Sequence, residues 1–351
     1  MKNSIIMKRD LAYVSSSAFI PWEKLREKTI FVTGGTGLIG LNLIKSVLYA
    51  NQEKHLNVRI IALVRSLEKA AEVFQDETED TALTFVKGDV TALPEIRGEI
   101  DYIIHAASAT ASRFFIEHPV ETIGIAVDGT RNMLELARSK RVSGFVYLSS
   151  MEVYGHPEKG HSVQEHETAG FDTANVRNSY PLSKQICESL CASYADEYDV
   201  PTMCIRLTQT FGPGVSFDDG RVFAEFMRAV VKENDIVLKT RGETERCYLY
   251  TADSVTAILT VLLKGRKKTY YNAANPATYC SIMEMAKLVA DEVSGGKIKV
   301  SVELADVEKM GYASVLYMML DVSKLRALGW NTEISLAEMF RRMIADVVKE
   351  Q

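Results

Sequence analysis

Thr29-Ile30-Phe31-Val32-Thr33-Gly34-Gly35-Thr36-Gly37-Leu38-Ile39-Gly40 runs from an apolar, β-branched segment into a glycine-rich turn. An apolar helical pattern, Leu41 to Ala50, follows at once. Strand, glycine turn and helix in this order form a cradle for phosphate, because the first N–H groups of the helix have no partner within it. Gly34, Gly37 and Gly40 permit a tight turn, a close backbone approach to a pyrophosphate and close helix–strand packing. Together with Thr36, Leu38 and Ile39 they are the candidate dinucleotide contacts.

Outward from this turn the pattern repeats. A strand over Val58 to Val64 and a helix from Leu67 complete a βαβ unit of a parallel sheet. Strands Thr84 to Val86 and Tyr102 to His105, a helix over Val127 to Lys140, a strand Gly144 to Ser149, a helix over 179 to 197 and a strand Thr202 to Leu207 follow. The last of these is expected to complete the sheet. Each strand is short and apolar, as burial on both faces requires. The pattern then loosens into a loop-rich region, 209 to 250, and mixed short elements up to Trp330. Over Ser335 to Lys349, Leu336, Met339, Phe340, Met343, Ile344 and Val347 fall at helical spacing and predict a helix that docks by that face.

The expected architecture is α/β: a Rossmann-type doubly wound parallel sheet over 28–208, and a smaller C-terminal lobe over 209–351 with segments that return to the first unit. Residues 1–27 read as an N-terminal arm. Leu11, Tyr13, Val14, Phe19, Ile20 and Trp22 would anchor it to the surface of the fold or to a partner subunit.

The second constellation is Tyr180-Pro181-Leu182-Ser183-Lys184. Tyr180 and Lys184, four apart, share one face of one helix. An ammonium beside a phenol favours the phenolate, lowering a pKa that starts near about 10 and making Tyr180 a base. Ser150, beyond the strand Gly144 to Ser149, is placed to hydrogen-bond the same substrate oxygen. A Tyr-x-x-x-Lys spacing is common by chance; a glycine cradle and a strand ending in Ser-Ser before it are not. The set describes a nicotinamide-dependent enzyme.

Composition agrees with a globular enzyme. The 351 residues are 47% hydrophobic and 25% charged, and the net charge of −5 argues against a general nucleic-acid binder. No apolar run approaches the roughly 18 residues of a membrane span, and a cytoplasmic location is expected. The five cysteines, Cys187, Cys191, Cys204, Cys247 and Cys280, lack zinc spacing and fit a reducing compartment. Cys187 and Cys191 read as buried packing. His156, His161 and His166 suit a solvated loop better than a metal site, so no metal is expected.

The second strand ends Ala62-Leu63-Val64-Arg65-Ser66, without the acid that usually holds the adenosine ribose. Arg65 and Ser66, with Lys69, suit a 2′-phosphate, which favours NADP slightly over NAD. Asp89, in Gly88-Asp89-Val90, is a candidate for the adenine amino group.

These motifs resemble the extended short-chain dehydrogenase/reductase family, the NAD-dependent nucleotide-sugar epimerases, dehydratases and decarboxylases. Supporting segments are His105-Ala106-Ala107, Ser149-Ser150-Met151-Glu152-Val153-Tyr154-Gly155, Phe211-Gly212-Pro213-Gly214 and Leu328-Gly329-Trp330. The resemblance implies a nucleotide-sugar substrate, hydride removal at C4 with later return, and a homodimer built through two helices, one carrying Tyr180. It adds Val90, Ala106 and Ala107 to the cofactor contacts and Ser108, Thr110, Arg177, Gln209, Arg221 and Arg246 to the substrate contacts.

The local match is closest to UDP-glucuronate decarboxylases. Glu152, two after Ser150, looks like their accessory acid, and Arg246 like their substrate-contacting arginine; the bland alternative for Arg221 and Arg246 is diphosphate binding alone. Met151 stands where 4,6-dehydratases carry a proton-donating Asp, which disfavours dehydration. Ala126 and Gln209 replace the family's usual asparagines, and its usual basic residue is not evident in Gly311 to Met319. A net NADPH-dependent keto-sugar reductase and a non-catalytic dinucleotide-binding protein are the competing readings.

Overall fold

The computed structural model describes residues 4–109, 112–304 and 315–348. The strands are, in chain order, β1 (Thr29–Thr33), β2 (Arg59–Val64), β3 (Leu83–Lys87), β4 (Tyr102–His105), β5 (Gly144–Ser150), β6 (Ser162–Val163) and β7 (Thr202–Leu207), continuing with β8 (Gln209–Phe211), β9 (Ile236–Leu238), β10 (Glu245–Tyr250), β11 (Thr269–Ala273), β12 (Asn275–Ser281), β13 (Val300–Val302) and β14 (Tyr317–Leu320). Seven of them form one sheet in the order β11-β7-β5-β4-β1-β2-β3. Every pairing within it is parallel. The order reverses between β1 and β4, the switch point at which a doubly wound sheet opens a crevice at its carboxyl edge. β1, β4 and β7 are buried along their full length, which their unbroken apolar runs required.

The helices include α1 (Ile5–Ser16), α2 (Leu38–Lys54), α3 (Leu67–Val73), α4 (Ser112–Glu117), α5 (Pro119–Lys140), α6 (Ser179–Glu197), α7 (Val222–Val231) and α8 (Thr251–Lys264). α6 has the expected span, 179 to 197. α5 begins eight residues before the expected Val127, with Pro119 at its first turn, where the missing N–H costs nothing. Its added turns expose Val120 and Ile123, so they carried no amphipathic signal.

Three expectations are corrected. The sheet does not end at β7: β11 pairs with it in parallel from Thr269↔Met203 to Ala273↔Leu207. This edge strand arrives about sixty residues later in the chain, and nothing local marked it. The region 209 to 250 is not mainly loop, because it holds β8, α7, β9 and β10. β10 is the hub of a second, mixed sheet, pairing with β12, β14 and β8, while β14 carries β6. Third, the expected anchors do hold the N-terminal arm to the fold, but within the main apolar core rather than on its surface. Val14, Ile20, Trp22 and Leu25 are buried in the same cluster as the β1 and α2 side chains.

α1 is held by polar contacts as well. Ser4 caps it, accepting from the Met7 N–H at 3.0 Å. Buried Asp10 accepts from the Arg342 guanidinium at 3.0 Å and from the Tyr250 hydroxyl, and Tyr13 donates to Asp253 at 2.8 Å. Arg342 lies on the C-terminal helix Leu336–Val348, which docks through Leu336, Met339, Phe340, Met343 and Val347 as the spacing predicted. No helix among the described residues is long and apolar enough to cross a membrane.

Candidate active site

A cleft of about 1490 Å³ runs along the carboxyl edge of the seven-stranded sheet, walled on its far side by β9, β10 and α7. Of the candidate site residues among the described ones, all but Ser66 line it. Thr110 lies outside the described residues, as does 311–314 of the stretch Gly311 to Met319.

At one end is the β1–α2 turn. Gly37 donates its N–H back to the Gly34 carbonyl at 3.0 Å, which closes the turn. Gly34 has φ +71°, and a Cβ there would stand 2.8 Å from the Ala106 carbonyl carbon on the neighbouring chain after β4. The cap of α2 is Gly37, which has no side chain to satisfy the first N–H groups, and the first turn contains no acid. An uncapped helix end that faces a cleft is an anion site, and a pyrophosphate fits it.

Beyond β2, exposed Arg65 and Lys69 line the same cleft. Ser66 is used differently from expectation: its hydroxyl accepts from the Lys69 N–H at 3.0 Å and donates to Glu68 at 2.8 Å, capping α3. Asp89 accepts from both the backbone and the hydroxyl of Thr91, at 2.9 and 2.7 Å. Burial raises its pKa, but these bonds and the charge of Arg65 outweigh that and hold the carboxyl below its ordinary range.

The reactive groups meet where β5 ends. Ser150 closes the strand and accepts from the Glu152 N–H at 3.2 Å, starting the short helical turn Met151–Tyr154. Tyr180, in the first turn of α6, lies flat on Phe115, with ring centroids 4.3 Å apart and planes 6° from parallel. Lys184 donates to the Leu148 carbonyl at 2.7 Å, and its ammonium is 5.6 Å from the Tyr180 ring centroid. Fixing the lysine to β5 sets the phenol, the ammonium and Ser150 around one point.

The expected lowering of the phenol by Lys184 is not what this packing produces. Burial pushes Tyr180 above its ordinary range; the Glu152 carboxylate adds to the rise, and a hydrogen bond with Ser150 opposes it. Burial also pulls Lys184 down to about 8. Desolvation of a buried phenolate outweighs an ammonium whose strongest tie is to a backbone carbonyl.

Glu152 is similarly perturbed. Burial raises its carboxyl, against the pull of Arg177, Arg246 and Lys184, so one acid faces three cations in the cleft. Arg246 Nε and Gln209 Oε1 are buried and have no protein partner. Arg221 is committed to Asp219, with contacts of 2.9 and 2.6 Å. Met151 is buried, and its sulfur accepts from the Thr208 hydroxyl at 3.2 Å. It has no proton to offer.

Sequence reasoning missed Phe115, which orients Tyr180, and the cations Arg228, Lys232 and Lys239 on the far wall. Arg228 and Lys232 are four apart, a helical spacing concealed by reading α7 as loop. Of the three loop histidines, His156 lines the cleft and His161 contacts Glu167 at 2.7 Å. Among the described residues no group of three or more His, Cys, Asp or Glu is arranged to hold a metal ion.

Residues 30–274 match the NAD dependent epimerase/dehydratase family, and the chain belongs to it. UDP-glucuronic acid decarboxylase 6 of Arabidopsis thaliana is 29% identical over 311 residues, covering 88% of this chain and 85% of that protein. Among solved structures, the UDP-N-acetylglucosamine 4-epimerase of Methanobrevibacter ruminantium M1, in complex with UDP-N-acetylmuramic acid, superposes with a TM-score of 0.80 at 17% identity, covering 93% of this chain and all of that one. The UDP-glucuronic acid 4-epimerase of Bacillus cereus, in complex with UDP-glucuronic acid and NAD, gives 0.75 at 17%, covering 92% and 100%. These structures share the fold.

Proposed function

We propose that the chain is an NAD(P)-dependent enzyme acting on a nucleotide-sugar, oxidising it at C4 and then decarboxylating it, as UDP-glucuronate decarboxylases do, or epimerising it. The dinucleotide would lie over the Gly34–Gly40 turn with Thr36, Leu38, Ile39, Val90, Ala106 and Ala107, and its nicotinamide would supply a reversible hydride acceptor. Tyr180 exchanges a proton with the C4 hydroxyl, Ser150 hydrogen-bonds the same oxygen, and Lys184 holds positive charge behind the phenol. A ketone at C4 makes the C6 carboxylate a β-keto acid, from which CO2 leaves and an enolate remains. Arg177, Arg221, Arg246, Gln209 and Ser108 are the proposed substrate contacts.

The observation that carries this reading is Glu152, a half-buried carboxyl that lines the cleft on the turn after Ser150, with Arg177 and Arg246 acting on it. Arginines lining a cleft suit both a uronate carboxylate and an enolate, and a carboxyl with a raised pKa suits proton transfer. The decarboxylase relative in Arabidopsis thaliana supports the same choice. Dehydration is disfavoured by Met151. NMR of reactions with UDP-glucuronate, UDP-glucose and UDP-galactose tests the proposal. The expected result is loss of the C6 carboxylate from UDP-glucuronate to give UDP-xylose; an inverted C4 centre assigns the epimerase instead. In Glu152→Gln, turnover is expected to fall about 100-fold or more, and an unchanged rate would remove Glu152 from the chemistry.

For the dinucleotide we favour NADP slightly over NAD, because Arg65 and Lys69 line the cleft beyond β2, whose own end carries no acid. Arg65→Ala is expected to weaken NADP binding about tenfold while changing NAD binding little. Calorimetric titration with the two cofactors measures this, and equal losses for both would overturn the preference. Freely exchanging NADPH together with net consumption of a keto-sugar would favour the reductase.

A further inference from the structure

One turn beyond Lys184 on α6, Glu188 is buried against Arg206 of β7. The guanidinium donates to both carboxylate oxygens, Nε to Oε1 at 2.8 Å and Nη2 to Oε2 at 2.7 Å. The Ser149 hydroxyl donates to Glu188 Oε1 at 2.6 Å. The remaining Arg206 nitrogen donates to the Tyr154 hydroxyl at 2.8 Å and to the Glu165 carbonyl at 3.0 Å, and Tyr154 passes the chain on to Asn272 of β11 at 2.6 Å.

A fork this complete does not explain itself as stability. Desolvating two charges cancels much of their attraction, and a packed apolar pair often serves as well. What sets the pair apart is where its partners sit. Ser149 adjoins Ser150, Tyr154 closes the turn carrying Glu152, and Glu188 follows Lys184 by one helical turn.

We propose that Glu188 and Arg206 are a positioning pair, which locks the Ser150, Glu152 and Lys184 segments to one another and holds the charge on the Lys184 ammonium. This rests on the proposed reading of those three residues as the reactive groups. The groups acting on the ammonium are Cys187, Glu188 and Cys191 on its own helix, Cys204 on β7, Tyr147 on β5, His105 on β4, and Glu152 and Tyr180 in the cleft. Burial drives Lys184 down, and Glu188 is the carboxylate of its own helix that opposes the drop. His105, held neutral by burial, adds no charge near neutral pH.

The test follows Lys184 itself, by NMR titration of protein labelled with carbon-13 at lysine Cε, with the signal assigned through Lys184→Met. Glu188→Gln is expected to move the titration midpoint to lower pH by roughly one unit. Because that change leaves Arg206 unpaired, Glu188→Gln/Arg206→Met is made in parallel; it removes both charges together and is expected to fold. In the double variant the midpoint is again expected to fall. With a nucleotide-sugar substrate, kcat is expected to drop about tenfold or more while KM changes little, since misplaced reacting groups lose rate before they lose binding. A folded variant in which Lys184 titrates as in the parent overturns the proposal. A shifted titration in a protein that turns over no nucleotide-sugar would leave the pair's control of Lys184 standing and overturn the functional reading instead.

Discussion

Tyr180→Phe is expected to reduce turnover about 1,000-fold or more while leaving the fold and dinucleotide binding intact. The substitution removes one oxygen and keeps the ring, so the stacking on Phe115 at 4.3 Å survives. Lys184 also keeps its bond to the Leu148 carbonyl. What is lost is the proton that the C4 oxygen exchanges, and Ser150 alone cannot replace it: an aliphatic hydroxyl has no charge state within reach of neutral pH. The phenol gives this proton when a ketone is reduced and takes it when an alcohol is oxidised, so the loss should be as severe in either direction. Single-turnover absorbance of the nicotinamide, with calorimetric cofactor binding as the control, reads both. A Tyr180→Phe protein with parental turnover would remove the phenol from the mechanism.

The second large effect is expected at Gly40. A Cβ there would stand 2.3 Å from the Gly34 carbonyl oxygen and 2.9 Å from the Gly35 Cα. Both are backbone, so nothing soft can give way. The same oxygen accepts the Gly37 N–H that closes the turn. Gly40→Ala must push α2 away from β1, opening the turn and re-aiming the uncapped N–H groups. Dinucleotide affinity is expected to fall about 100-fold, with a stability loss of about 1–3 kcal/mol from overpacking. Gly124→Ala, in α5, is the control: its Cβ would meet nothing closer than an Asp128 oxygen at 3.9 Å. It is expected to be neutral or slightly stabilising, because alanine is the better helix former. Cofactor affinity at parental strength in Gly40→Ala would mean that the turn is not the cradle.

The parts of the fold that were legible are those whose information is local. The β1 run, its glycine turn and α2 are contiguous, and each glycine answers a contact within a few residues. α6 spans the expected 179 to 197, and the Tyr180 and Lys184 pairing on it was legible because residues four apart on a helix share a face whatever surrounds them. β11, α7 and the burial of α1 were not legible for the opposite reason. β11 is specified by the edge of β7, and α1 by apolar surface on α2, on α8 and on the C-terminal helix, the last two contributed from far along the chain.

The candidate site divides in the same way. By itself the sequence determined which chemical groups are present: a glycine cradle, a phenol and an ammonium on one helical face, a hydroxyl at a strand end, and a carboxyl two residues further on. Only the tertiary structure decided their state. It stacked Tyr180 on Phe115, tied Lys184 to Leu148, set Glu152 among arginines and turned Ser66 into a helix cap. The sequence reading had the phenol lowered by its lysine; the structure raises it. The charge on an ionisable group depends on how much water it loses and on which charges approach it, and both are properties of the packed molecule rather than of residue spacing.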